Sequence, residues 1–208
     1  MKRLLFVITY KFITMNSLYR LLLMTLLVIP QIATAQTTIQ LFNHENLDGW
    51  YAYEPESGKH TDASELFSVE DNMIRLYGDK VGYLMSERSF RDFKLTVEFR
   101  WNTDTTFVRK RDSKNSGVMY LVPQDIPDTL WPKGIQFQIK EGATGDFVLL
   151  QEVTLIINSK RTGPGRSVVA KRFVDAAKPV GEWNTLVVTY KNNKIDQNLN
   201  GELVNEGT

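Results

Sequence analysis

Cysteine is absent from the 208 residues, so neither disulfides nor thiolate metal sites hold this protein together or arm it. Sustained helical periodicity is missing as well, because no stretch repeats apolar residues at three- and four-residue spacing over several turns. Histidine is scarce. His44 and His60 lie in separate polar segments, no spacing pairs them as metal ligands, and both read as surface residues. A basic excess is also lacking, with 25 Lys and Arg against 24 Asp and Glu. Four of the basic residues (Lys2, Arg3, Lys11 and Arg20) fall within the first 35 positions, which hold no acid; the rest carries 21 basic and 24 acidic residues, net −3. No basic stripe is left to attract nucleic acid, and Arg109-Lys110-Arg111 sits in a polar stretch that reads as a loop.

The N-terminus has the pattern of a secretory signal: a basic start, the apolar run Leu21 to Pro30, and the small residues Ala33-Thr34-Ala35 before Gln36. The run is too short to span a bilayer comfortably, which makes a retained membrane helix the weaker reading. Met15 to Ala35 already forms a complete signal, so Met15 is an alternative start. No cysteine follows the cleavage site to take a lipid anchor. The expectation is an exported protein, periplasmic or secreted, with no membrane span after cleavage. Residues 36–208 are enough for one sizeable core and form a single domain.

Within that domain the signals are β. Leu66 to Val69 and Met73 to Tyr77 flank a turn at Glu70-Asp71-Asn72, and Tyr83 to Met85 follows. From Phe93 to Trp101 the apolar Phe93, Leu95, Val97, Phe99 and Trp101 alternate with Lys94, Thr96, Glu98 and Arg100. Gly117 to Val122 is stopped by Pro123. Thr185 to Tyr190 and Ile195 to Leu199 precede Asn200-Gly201, a tight-hairpin signal. Many short strands with regularly spaced turns predict an all-β, antiparallel two-sheet sandwich or jelly roll. Asn102 to Lys114 and Asn158 to Arg166 break the rhythm and read as loops, where binding usually resides on a rigid sandwich.

One strand stands out. In Trp131-Pro132-Lys133-Gly134-Ile135-Gln136-Phe137-Gln138-Ile139-Lys140-Glu141, the apolar Ile135, Phe137 and Ile139 alternate with Gln136, Gln138 and Lys140. Two glutamines two residues apart set amide donors and acceptors about 7 Å apart along one face. Amides suit neutral polyhydroxylated ligands, since each sugar hydroxyl both gives and accepts a hydrogen bond. The plain alternative is a solvated strand face.

The succession of Leu41-Phe42-Asn43, Leu47-Asp48-Gly49-Trp50, Phe93 to Arg100, Asn115-Ser116-Gly117-Val118, Gln136-Phe137-Gln138-Ile139, Gly181-Glu182-Trp183-Asn184 and Leu199-Asn200-Gly201 resembles the 3-keto-disaccharide hydrolase family. The resemblance runs from about Leu41 to the C-terminus. It implies a concanavalin-like (glucanase-type) jelly roll with a concave groove, exported by glycan-degrading bacteria, that cleaves glycosides whose sugar is first oxidised to a ketone at C3. The ketone acidifies the C2 proton, so a base removes it, the aglycone leaves C1, and water adds back. Such chemistry needs a base, an enolate stabiliser and a proton donor to the leaving group. A divalent metal held by oxygen or imidazole ligands could serve as that stabiliser. The chain departs from the pattern twice: relatives usually carry Glu at the position of Gln136, and many carry Arg at that of Leu121. Relatives also continue past Thr208, so the resemblance implies a sandwich lacking one or more C-terminal strands.

Several residues are therefore candidates for the site. Glu141 is the remaining base or metal ligand, with a solvated turn residue as the alternative. Gln138 and Gln136 are candidates for sugar contact and, with Arg100, for the chemistry; Arg100 has the competing role of pairing with Glu98 or a cross-strand acid. Asn115 and Tyr120 are candidate sugar contacts, although Asn115 and Ser116 could instead orient a loop, and Gly117 reads as a backbone-geometry residue. Trp131 is the candidate platform for stacking on a sugar ring, whereas Trp50, Trp101 and Trp183 read as core. Three functions follow: an exported 3-keto-glycoside-cleaving enzyme, a non-catalytic carbohydrate-binding jelly roll, and a conventional glycosidase. The last wants a closely spaced strand carboxylate pair that the sequence does not show.

Overall fold

A computed structural model describes residues 37–76, 80–104 and 114–208. The expected signal at 1–35 and the basic triplet Arg109-Lys110-Arg111 lie outside the described residues. By its contacts the chain divides into Met1–Ile39, of which only 37–39 are described, and Gln40–Thr208, which carries all the regular structure below.

Among the described residues fifteen strands follow in chain order: β1 (Trp50–Glu54), β2 (Gly58–His60), β3 (Ser68–Glu70), β4 (Met73–Arg75), β5 (Tyr83–Ser86), β6 (Phe93–Phe99), β7 (Asn115–Tyr120), β8 (Gly134–Lys140), β9 (Phe147–Leu150), β10 (Ile156–Ile157), β11 (Lys160–Arg161), β12 (Ser167–Ala170), β13 (Asn184–Lys191), β14 (Lys194–Leu199) and β15 (Glu202–Gly207). A single 3-10 turn, Ala63–Glu65, is the only helical element among the described residues. Two four-stranded antiparallel sheets, ordered β12-β9-β8-β7 and β15-β14-β13-β6, make up the jelly-roll sandwich.

Alternation decides which side chains meet between the sheets. Tyr120, Ile135, Phe137, Ile139, Phe147 and Leu149 of the first sheet pack against Leu186, Val188, Ile195, Leu199 and Val204 of the second. Phe93, Val97 and Phe99 extend the cluster from the edge strand β6. A smaller sheet, β2-β1-β5, has its own core around Leu47, Ala52 and Ala63.

The turns follow their residues. Asp71 and Asn72 both take positive φ between β3 and β4, as do Asn192 and Asn193 between β13 and β14 and Asn200-Gly201 between β14 and β15. Those values suit two-residue hairpins, which need left-handed residues to match the twist of the strands. Three tryptophans were expected in the core. Trp50 and Trp101 are half-buried against the two clusters, but Trp183 is 42 % exposed. It immediately precedes β13 and is out of phase with the inward-facing Asn184, Leu186 and Val188, so the strand's alternation turns its ring outward.

Candidate functional site: a row of amides on the first sheet

On β8, Ile135, Phe137 and Ile139 face inward, so Gln136, Gln138 and Lys140 face away from the core. Gln136 sits across from Met119 on β7 and Val148 on β9, Gln138 across from Gly117, and Lys140 across from Asn115. The three amides are joined. Gln136 Nε2 donates to Gln138 Oε1, and Gln138 Nε2 donates to Asn115 Oδ1 at 3.0 Å. Exposure rises along the row: Gln136 is 6 % exposed, Gln138 half-buried and Asn115 exposed. The inner end is lined by apolar groups, with Val148 buried and Met119 half-buried.

The row has a direction. Each amide nitrogen is given to the next carbonyl, which leaves the Gln136 carbonyl as an acceptor at the inner end and the Asn115 amide as a donor at the outer end. Gly117 has a spatial role here. A Cβ at that position would lie 2.5 Å from Gln136 Cδ and Nε2, so the missing side chain makes room for the glutamine. The backbone-geometry reading of Gly117 is corrected accordingly.

Other candidates fall elsewhere. Tyr120 is only 5 % exposed and points between the sheets, where its hydroxyl accepts from Gln197 Nε2 at 2.8 Å. Its place on β7 is out of phase with Asn115 and Gly117, so it belongs to the core and not to the amide face. Arg100 follows β6 in the second sheet and stacks its guanidinium 5.0 Å from the centroid of the Trp183 ring. The structure does not bring it to the amide row, and no pairing with Glu98 forms. Glu141 is exposed, one residue past the end of β8, with its N–H bonded to Lys114 O. Trp131 is 47 % exposed in a positive-φ conformation before β8, and its carbonyl accepts from Gln151 Nε2 at 3.2 Å.

Two polar clusters went unread in the sequence. Tyr51 and Tyr83 both donate to Asp128 Oδ1, and Lys59 lies 3.7 Å from Oδ2 with its ammonium over the Tyr51 ring. This ties the small sheet to the loop that carries Trp131. Burial, reinforced by the Asp128 carboxylate, raises both phenols well above their ordinary value. In the β1–β2 hairpin, Ser57 Oγ contacts the Glu54 carboxylate and lies 2.7 Å from His60 Nε2, while His60 Nδ1 lies 2.7 Å from Glu65 Oε2. His60 is thus a half-buried member of a local network and not a free surface histidine. Its partners are three and five residues away, a spacing that only the hairpin and the 3-10 turn bring together.

A divalent metal does not fit the amide row. Two of its three carbonyls already accept from neighbouring amides, and among the described residues no three His, Cys, Asp or Glu side chains converge to hold an ion.

Residues 37–208 match the model of the 3-keto-alpha-glucoside-1,2-lyase-like domain. The chain belongs to this family. Among solved structures, a candidate glycosyl hydrolase from Parabacteroides distasonis is similar with a TM-score of 0.52 and 19 % sequence identity, covering 81 % of this chain and 71 % of that one. At that identity the likeness speaks for the fold. Comparison with curated proteins finds no match. In this family member the row runs along the outward face of the central strand β8 (Gln136, Gln138) and onto the edge strand β7 (Asn115), and no helix among the described residues is long and apolar enough to cross a membrane.

Proposed function

We propose that this lyase-like domain acts on glycans, and specifically on glycosides carrying a ketone at C3 of the sugar. Membership of the 3-keto-alpha-glucoside-1,2-lyase-like family supports the reaction class. The observation that carries the site is the joined amide row, which offers amide donors and acceptors on a face that runs from buried to open. In the proposed reaction a base takes the C2 proton and the C–H electron pair moves toward the C3 carbonyl. Collapse of the enolate expels the aglycone oxygen from C1, which picks up a proton and leaves a C1–C2 double bond; water then adds its hydroxyl to C1 and its proton to C2. Glu141, beside the open end of the row, is the carboxylate we assign as base. Export supports access to extracellular glycans and rests on the basic, apolar and small-residue succession at the N-terminus.

The test is aglycone release from a chromogenic 3-keto-glucoside by the purified protein, with and without chelator, beside the unoxidised glucoside. Release from the keto substrate alone is the expected result, and loss with chelator would add a metal held by ligands outside the row. Release from the unoxidised glucoside would overturn the reading. A second reading is favoured by one feature: Gln136 is an amide where the family resemblance implies a carboxylate, and an amide is a poor base. Saturable sugar binding without release would establish a non-catalytic binding domain.

A further inference from the structure

We infer that the outer end of the amide row is an anion subsite, formed by Lys140 and Asn115, that takes a negatively charged oxygen of the bound sugar. The inference rests on the amide face being the sugar site and specifies the chemistry of one end of it. Lys140 is the third outward residue of β8 after Gln136 and Gln138, and it lies directly across from Asn115 on β7. Side chains so placed have Cβ atoms about 5 Å apart, within reach of one ligand group.

Lys140 is half-buried and makes no ion pair with any described carboxylate. The direction of the row supplies the second component. Asn115 spends its carbonyl on Gln138 Nε2, while its own Nδ2 donates to no described group. Both groups at the open end are therefore donors, one carrying a full charge. The complement of two neighbouring donors is an acceptor oxygen, and a cation favours an anionic one. At the inner end the spare Gln136 carbonyl calls for a hydroxyl. Gln136 and Lys140 lie four residues apart on β8, about 13 Å along the strand, so the hydroxyl at the inner end and the charged oxygen at the outer end would belong to different rings of a bound glycan.

Two sources supply such an oxygen: the carboxylate of a sugar acid, or the enolate that forms when a 3-keto sugar loses its C2 proton. Titration calorimetry with glucuronate and with glucose, on the wild type and on Lys140→Met and Lys140→Arg, separates them when combined with turnover of the keto substrate. Tighter binding of glucuronate than glucose, lost in Lys140→Met and kept in Lys140→Arg, identifies a sugar-acid subsite. Equal binding of the two sugars, with kcat on the keto substrate falling at least tenfold in Lys140→Met at unchanged KM, identifies enolate stabilisation. If the wild type binds or turns over sugar and neither measurement depends on Lys140, the subsite is overturned while the sugar site stands. If the folded wild type neither binds nor turns over any of these sugars, the sugar site itself falls and the subsite with it.

Discussion

Gln136 occupies the space that a side chain at Gly117 would need. The carboxamide of Gln136 lies over the glycine on the neighbouring strand, where a Cβ would come within 2.5 Å of two of its atoms. From that position it donates to Gln138, which donates to Asn115. The glycine, which offers no chemistry of its own, thus sets the first link of the row.

Gly117→Ala should dislodge Gln136 and uncouple the row. Because Gln136 is buried, it has little room to give way, and overpacking of this kind costs about 1 to 3 kcal/mol. Thermal unfolding should report that loss, and sugar titration should report weakened binding in the same variant. Wild-type stability and affinity in Gly117→Ala would show that the glutamine swings aside without consequence.

Tyr120→Phe separates core from site. The phenol is the acceptor for Gln197 Nε2 inside the sandwich, and Gln197 Oε1 already has no partner among the described residues. Removing the hydroxyl leaves the whole buried amide unpaired, a loss of about 1 to 3 kcal/mol. Sugar affinity should not change. Replacing both partners, as Tyr120→Phe with Gln197→Leu, should recover much of the stability, since no buried polar group is then left unmatched. Chemical denaturation of the three variants measures both effects.

The tyrosines predict an alkaline limit to stability. Burial raises the phenols of Tyr51, Tyr83 and Tyr120 above their ordinary value of 10, and Asp128 raises the first two further. A group whose pKa is higher in the folded state contributes stability that is complete below the unfolded pKa and is lost as pH rises through the folded one. Stability should therefore hold through neutral pH and fall above about pH 10. In a pH titration, part of the tyrosinate absorbance should appear only together with loss of the sandwich circular dichroism. Full ionisation of Tyr51, Tyr83 and Tyr120 in a still-folded protein would contradict this.

How far the sequence shows these features depends on whether a strand has one polar face. β6 and β8 do, so the alternation of Phe93 to Phe99 and Ile135 to Lys140 marks both strands and the side each residue faces. β9 has none: Phe147, Val148, Leu149 and Leu150 are all apolar and all buried, and period two vanishes when both faces are covered. The same logic separates the site residues. Gln136, Gln138 and Asn115 share a face that alternation predicts, whereas Tyr120 is out of phase with its neighbours on β7 and falls inside. Arg100 and Gln138 look equally available in sequence, and only the pairing of β6 with β13 places them on different sheets. The Asp128 clasp joins residues 45 and 77 positions apart, a pairing that no local pattern carries.

Gln136→Glu is the sharpest test of the chemistry. The substitution is nearly isosteric, and it replaces the amide that donates to Gln138 Oε1 with a carboxyl that keeps a donor only while protonated and can take a proton once ionised. At a position only 6 % exposed, between Met119 and Val148, burial disfavours the charged form and raises the new carboxyl above the usual range for glutamate. That brings its pKa closer to working pH, where a general base is most effective, and a positioned base contributes about 100-fold to 10,000-fold in rate. Turnover of the 3-keto-glucoside should increase in Gln136→Glu with little change in KM, and the gain should itself titrate, appearing as pH rises through the raised carboxyl pKa. An unchanged rate across that pH range would mean that the inner end of the row binds the sugar and takes no proton from it.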